Sequence, residues 1–247
     1  MPGRGRGSGR LHDWVGLRTA RAGYDWIQLS KRRRAVLVLE SRWRQSDGLS
    51  RSQLSYSMNT SPSSHGPVRW ELRSKRTLVS TRVLDLCGYR YFHPGRGIEK
   101  EFTCLVPPDW VNVIAVTREA RIVLVRQFRY GLNDFSLEVP GGVIEAGEDP
   151  VAAGLRELGE ETGYGGGQAR LLGTVHPNPA IQTNRCHVVL VEGVAPILVQ
   201  DWDPDEEIEV STATEEELVA GVVGGRITHS LSLCAIMLHR ERRRGQI

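Results

Sequence analysis

Three glutamates, Glu157, Glu160 and Glu161, fall within five positions of a 247-residue chain. Carboxylates this close repel one another on a plain surface and cost stability there. They become useful where a hard divalent cation must be held, because Mg2+ takes oxygen ligands and keeps several waters that substrate phosphates can replace. On a helix, Glu157 and Glu161 would stand one turn apart, near enough to share such a cation. Three acids on a helix are ordinarily a solvated face, so the flanking residues have to decide between the two readings.

The whole stretch runs from Gly142 to Tyr164, GVIEAGEDPVAAGLRELGEETGY. Asp149-Pro150 opens a helix, with an Asp side chain to accept from the first free amides and Pro at the first helical position. Gly163 closes it as a left-handed cap. At helical spacing Val151, Leu155, Leu158 and Thr162 share one stripe, and Glu157, Glu160 and Glu161 lie on another. The helix is therefore expected to pack by one face and to present three carboxylates on the opposite one. Gly141-Gly142, just before it, allows a tight turn that leaves carbonyl oxygens uncovered.

In order, a glycine, five spacers, Glu148, seven spacers and Arg156-Glu157-Leu158-Gly159-Glu160-Glu161-Thr162-Gly163-Tyr164 match the box of the Nudix hydrolases, which the chain resembles. That resemblance implies an α/β fold, an α/β/α sandwich with a mixed sheet. It also implies metal-assisted attack of water on phosphorus in a diphosphate. Glu157, Glu160, Glu161 and the carbonyl of Gly141 are the implied ligands of Mg2+, with Mn2+ as a substitute, and Glu160 and Glu161 are implied in catalysis. Gly142, Glu148, Arg156 and Gly163 are implied as structural, Glu148 and Arg156 forming a bidentate brace between loop and helix.

Substrate choice must come from outside the box. Val125-Arg126-Gln127-Phe128-Arg129-Tyr130, Leu137-Glu138-Val139-Pro140-Gly141-Gly142 and Pro179 resemble the corresponding stretches of ADP-ribose pyrophosphatases. The resemblance makes Arg129 a phosphate grip and puts Glu138 near the substrate or a metal-bound water. Asp201 to Ile208 resembles the mobile acidic loop that supplies a base in those enzymes, with Glu206 in the base position. The loop His176 to Arg185 holds more polar residues than the Ser-Pro-Gly type of loop in those enzymes, which keeps other nucleoside diphosphate sugars and dinucleotides such as NADH in reach. A non-catalytic ADP-ribose sensor is the reading from another class; such proteins usually carry a degraded box, and this box is intact.

The elements that must position these residues follow in order. Thr77 to Leu86, Tyr89 to His93 and Glu99 to Val106 are rich in β-branched or aromatic residues and are separated by turn signals at Gly88 and His93-Pro94-Gly95, predicting a small antiparallel sheet over 66–106. In the resembling enzymes such a sheet is exchanged across a dimer, so a homodimer is expected. Pro107-Pro108-Asp109 marks the hinge to a catalytic domain over 107–247. Trp110 to Val116 and Arg121 to Phe128 read as a hairpin of core strands, Ser136 to Val139 as a strand leading to the box, and Ala169 to Thr174 and His187 to Val191 as strands beyond it. A capping box, Thr214 with Glu217, starts one C-terminal helix, and a second runs from about His229 into the basic Arg240 to Arg244.

Residues 1–57 carry 12 Lys and Arg against 4 Asp and Glu, leaving 20 against 25 for residues 58–247. The basic segment, extended to residue 65, has no sustained period and is expected to be a disordered extension; an alternative is that translation begins at Met58. Its charge and three tryptophans would suit RNA, but the acidic body gives no general case for nucleic acid. Lys31 to Arg34 before Ala35 to Leu39 falls short of an export signal, since five apolar residues are too few. No apolar run is long enough for a bilayer. Four cysteines without metal-like spacing suggest reduced thiols in a cytoplasmic protein.

Overall fold

The computed structural model describes residues 66–202 and 206–245. The expected extension over 1–65 lies outside these, as do residues 203–205 of the acidic loop. Two sheets form, one of three strands and one of eight among the described residues.

The small sheet is an antiparallel meander of β1 (Glu71–Ser80), β2 (Asp85–His93) and β3 (Ile98–Val106). It departs from expectation in two places. The stretch Thr77 to Leu86 is not one strand, because the chain reverses within it. The Thr81 hydroxyl binds the Leu84 carbonyl at 2.7 Å and receives the Leu84 amide at 3.1 Å. Gly88 is no turn either; it sits inside β2 opposite Thr103, and a Cβ there would come within 2.9 Å of the Glu101 carboxyl.

The large sheet runs β11 (Glu209–Ala213), β5 (Ile122–Arg129), β4 (Trp110–Thr117), β10 (Cys186–Pro196), β8 (Tyr164–Gly165), with β9 (Gln168–Val175) also on β10. β4 and β10 are parallel and their neighbours antiparallel, so the sheet is mixed. Alternation along these strands feeds two cores. Val111, Val113, Ala115, Val123, Val189 and Val191 pack with Ala153 and Leu158 of α1 (Pro150–Thr162) on one face. Ile114, Ile122, Leu124, Val188 and Leu190 pack with Leu218 of α2 (Glu215–Val223) and with Ala235 and Ile236 of α3 (Ser230–Gly245) on the other. The result is the expected α/β/α sandwich.

The expected core hairpin holds only at its base. β4 and β5 pair at Val116 and Ile122 and then part. In the gap, β6 (Asp134–Glu138) pairs with β5 while β7 (Gly141–Val143) pairs with β4. The segment joining them crosses the opening, where Val113 donates to the Pro140 carbonyl at 2.8 Å. This gap is where the box residues gather.

Leu158 is wholly buried beneath α1. Leu158→Ala is expected to cost about 2–5 kcal/mol in urea unfolding, since α1 cannot collapse onto a twisted sheet. A cost under about 1 kcal/mol would contradict this packing.

Candidate active site

α1 is delimited as its sequence requires: the Asp149 carboxylate accepts from Val151 and Ala152 at 2.9 and 3.2 Å, and Gly163 has φ 72°. Its faces differ from expectation. Leu155 is exposed, whereas Glu161 is only 3% exposed and lies among the buried residues. The acids do not form a separate outer stripe; Glu157 and Glu161 sit on the packing side, at the end where α1 overhangs the gap between β4 and β5.

Arg156 organises the rest. Its Nε and Nη2 bind the two oxygens of Glu148 at 3.0 and 3.1 Å, Nη1 reaches Glu157 and Glu160 at 2.9 Å each, and Nη2 also donates to the Val143 carbonyl at 2.9 Å. One guanidinium thus ties the loop, β7 and two of the three acids together. Among the described residues no three Asp, Glu, His or Cys side chains form a ready-made cation cage; Arg156 takes an oxygen of Glu157 and of Glu160 instead.

Glu161 points the other way. It accepts the Gly141 amide at 2.9 Å and a longer contact from Gln127 at 3.5 Å. Burial pushes its carboxyl up to about 8, outweighing the Gly141 hydrogen bond, and Glu157 and Glu206 push in the same direction. Burial likewise raises Glu157 to about 7, against the pull of Arg156. The two glycines fit closely: a Cβ on Gly141 would meet the Val111 carbonyl at 2.1 Å, and one on Gly142 would meet the Glu157 carboxyl at 2.6 Å.

Arg129, at the end of β5, reaches Glu138 on the paired strand β6, donating to its two oxygens at 2.9 and 2.8 Å. Glu138 is 2% exposed and also lies 2.9 Å from Nδ1 of His229, which the sequence marked only as a helix start. Burial alone would raise the Glu138 carboxyl, but the hydrogen bonds from His229 and Arg129 outweigh it and hold it well below the usual carboxylate range. Arg129, Gly141, Gly142, Arg156, Glu157, Glu160, Glu161 and Glu206 all line one cleft of about 540 Å³. The acidic loop is fastened to α1 beside it: Asp201 donates to the Glu160 carbonyl, and Gln200 and the Trp202 indole donate to the Glu161 carbonyl, each at 3.0 Å.

Cys186 and His187, adjacent in the sequence, form no nucleophile pair. The Cys186 thiol is buried and burial pushes it up to about 12, while His187 meets Thr174 and Asp109.

A cleft of crowded carboxylates at the mouth of an α/β/α sandwich suits a hard cation, and a phosphate only through one. A family model for the NUDIX domain matches residues 107–227. The chain is 34% identical over 146 residues to an ADP-ribose pyrophosphatase of Bacillus subtilis, covering 58% of this chain and 78% of the relative. It belongs to the Nudix family and is a Nudix hydrolase. It is also 44% identical over 87 residues to an ADP-sugar pyrophosphatase of Mus musculus, covering 34% and 40% of the two chains. A methanol dehydrogenase activator of Bacillus methanolicus is 34% identical over 130 residues, covering 52% and 70%. The crystal structure of an ADP compounds hydrolase superposes with a TM-score of 0.65 at 17% identity, over 73% of this chain and 98% of that one. The pyrophosphatase relatives support hydrolysis of a pyrophosphate bond.

A carboxyl whose pKa is lowered on folding stabilises the protein above its unfolded value, near pH 4.5, and that contribution fades as the pH falls. The stability difference between wild type and Glu138→Gln is therefore expected to be full at pH 6 and to shrink toward pH 3. A difference that grows on acidification, read by denaturant titration, would contradict the assignment.

Proposed function

We propose that the protein hydrolyses the diphosphate of ADP-ribose or a close nucleoside diphosphate sugar to a nucleoside monophosphate and a sugar phosphate. The observation that carries this reading is that Arg129, the oxygens of Glu157, Glu160 and Glu161, and Glu206 line a single cleft.

Two raised, buried carboxyls and a third acid are a donor set that suits a hard dication, which would offset their mutual repulsion. Glu157, Glu160, Glu161 and the Gly141 carbonyl are the residues that would hold Mg2+ or Mn2+, with Glu157 and Glu160 turning from Arg156. When bound, the cation neutralises developing charge on the diphosphate and acidifies a water. Arg129 grips phosphate oxygens and is held in place by Glu138 of the paired strand β6, itself braced by His229. Glu206 takes the proton from the attacking water, and its loop, anchored through Gln200, Asp201 and Trp202, brings it over the cleft. Gly142, Glu148, Arg156 and Gly163 fix the helix against the loop.

The reading places the enzyme in the cytoplasm. It also makes the enzyme a homodimer: all ten residues of β1 are exposed, Leu72, Leu78 and Val79 among them, at an open sheet edge that a second copy would cover. Light scattering of the active protein is expected to give twice the chain mass; an active monomer would count against the dimer.

Turnover of ADP-ribose, ADP-glucose, UDP-glucose and NADH with Mg2+ or Mn2+ tests the reaction. ADP-ribose or an ADP-sugar is expected to lead, and Glu160→Gln and Glu161→Gln to lose about 100-fold or more in kcat while remaining folded. Glu206→Gln should act on kcat more than on KM by a similar factor, and Arg129→Ala should raise KM as well. Turnover confined to nucleoside triphosphates would overturn the substrate.

A further inference from the structure

His229 is the last residue before α3, and its carbonyl accepts the Leu233 amide of the first turn at 3.0 Å. Its ring is held from one side. Nδ1 lies 2.9 Å from Oε2 of Glu138 and 3.0 Å from the hydroxyl of the wholly buried Ser232, which in turn accepts the Val139 amide at 3.2 Å. Glu138 binds the Arg129 guanidinium through both oxygens and is therefore a carboxylate. A bare ring nitrogen would repel such an oxygen, so the neutral imidazole carries its proton on Nδ1 and leaves Nε2 as an acceptor.

Nε2 is spare. It has no partner among the described residues, yet it is not enclosed as both nitrogens of His239 are. The His229 side chain, 30% exposed, lines a cavity of about 600 Å³ that adjoins the acid cleft and shares Arg129 with it. Nη2 of Arg129 binds the same Glu138 oxygen that Nδ1 faces, at 2.8 Å, so the guanidinium nitrogen and Nδ1 are no further apart than these two contacts laid end to end.

That closeness limits what reaches Nε2 when a phosphate sits at Arg129. The phosphate anion itself offers acceptor oxygens, which an acceptor nitrogen does not match. A nucleobase is set off from its phosphate by the whole ribose, whereas the ribose is joined to it directly. A ribose hydroxyl both donates and accepts, so it pairs with Nε2 whether or not the ring gains a second proton.

We propose that Nε2 of His229 binds a hydroxyl of the ribose 2,3-diol next to the phosphate held at Arg129, which makes His229 a substrate-binding residue as well as a brace for Glu138. The inference deepens the reading above and rests on it. Either ribose of ADP-ribose has this chemistry, and binding of the separate halves tells them apart.

Calorimetry on the full chain with Mg2+ compares AMP with 2′,3′-dideoxy-AMP, and ribose 5-phosphate with its 2,3-dideoxy analogue. Wild type is expected to bind the diol about tenfold more tightly in one of the two pairs. His229→Asn, whose amide nitrogen replaces Nδ1 as a donor to Glu138 but which has nothing in place of Nε2, is expected to bind both members of that pair alike. Inorganic pyrophosphate, which has no sugar, should bind the two proteins equally. In wild type the 15N signal of His229 Nε2 should move with the diol ligand and not with its dideoxy partner, a readout that needs no variant to fold. Equal binding within both pairs by wild type overturns the proposal, as does binding of none of the four, an Nε2 signal indifferent to the diol, or a preference kept by folded His229→Asn. Pyrophosphate binding lost together with the preference overturns it too, since His229 would then act through Arg129 alone. Turnover assays separate the two levels. If wild type cleaves ADP-ribose but ignores the diol, the contact fails and the reaction stands. If the diol preference depends on His229 yet no nucleoside diphosphate sugar is cleaved, the reaction fails and the contact stands.

Discussion

Carboxylates crowded into a half-buried gap repel one another and resist losing water, and the architecture around them answers that strain. Burial raises both Glu157 and Glu161, a cost that an ordinary surface helix would not carry. Arg156 offsets part of it by binding Glu148, Glu157 and Glu160 together. Under the proposed function the remainder is what a hard cation would offset. Stability is given up where binding needs it, as is common at functional sites.

The same gap explains why two cavities meet at one arginine. β4 and β5 part after a single paired position, so β6 and β7 line opposite sides of the opening. On the β5–β6 side Arg129 binds Glu138, and His229, just before α3, fixes Glu138 in turn. One cavity is acidic, and the other adds Glu138, His229 and Leu231 to the arginine the two share.

What was legible in the sequence was local. The box needs only spacing, and Asp149, Pro150 and Gly163 mark their helix because caps depend on adjacent residues. The small sheet and the core strands followed from alternation and turn residues, and the sandwich from the resemblance that the box carries. What depended on distant partners was less so. Glu161 was assigned to an outer face because periodicity cannot say where an overhanging strand will cover a helix. His229 and Glu138 are far apart in the chain, and nothing near either announces the other. The turn at Thr81 was missed because a hydroxyl makes it, without glycine or proline.

In the proposed reaction water attacks phosphorus in a diphosphate held in the Glu157, Glu160 and Glu161 cleft. Hydrolysis of ADP-ribose in 18O-labelled water with Mg2+, with both products weighed by mass spectrometry, addresses it directly. AMP and ribose phosphate are expected as the products, with solvent oxygen in the phosphate of one of them, and about 100-fold less of both in Glu161→Gln. Cleavage at the glycosidic bond, or labelled products formed equally well by Glu161→Gln, would contradict it.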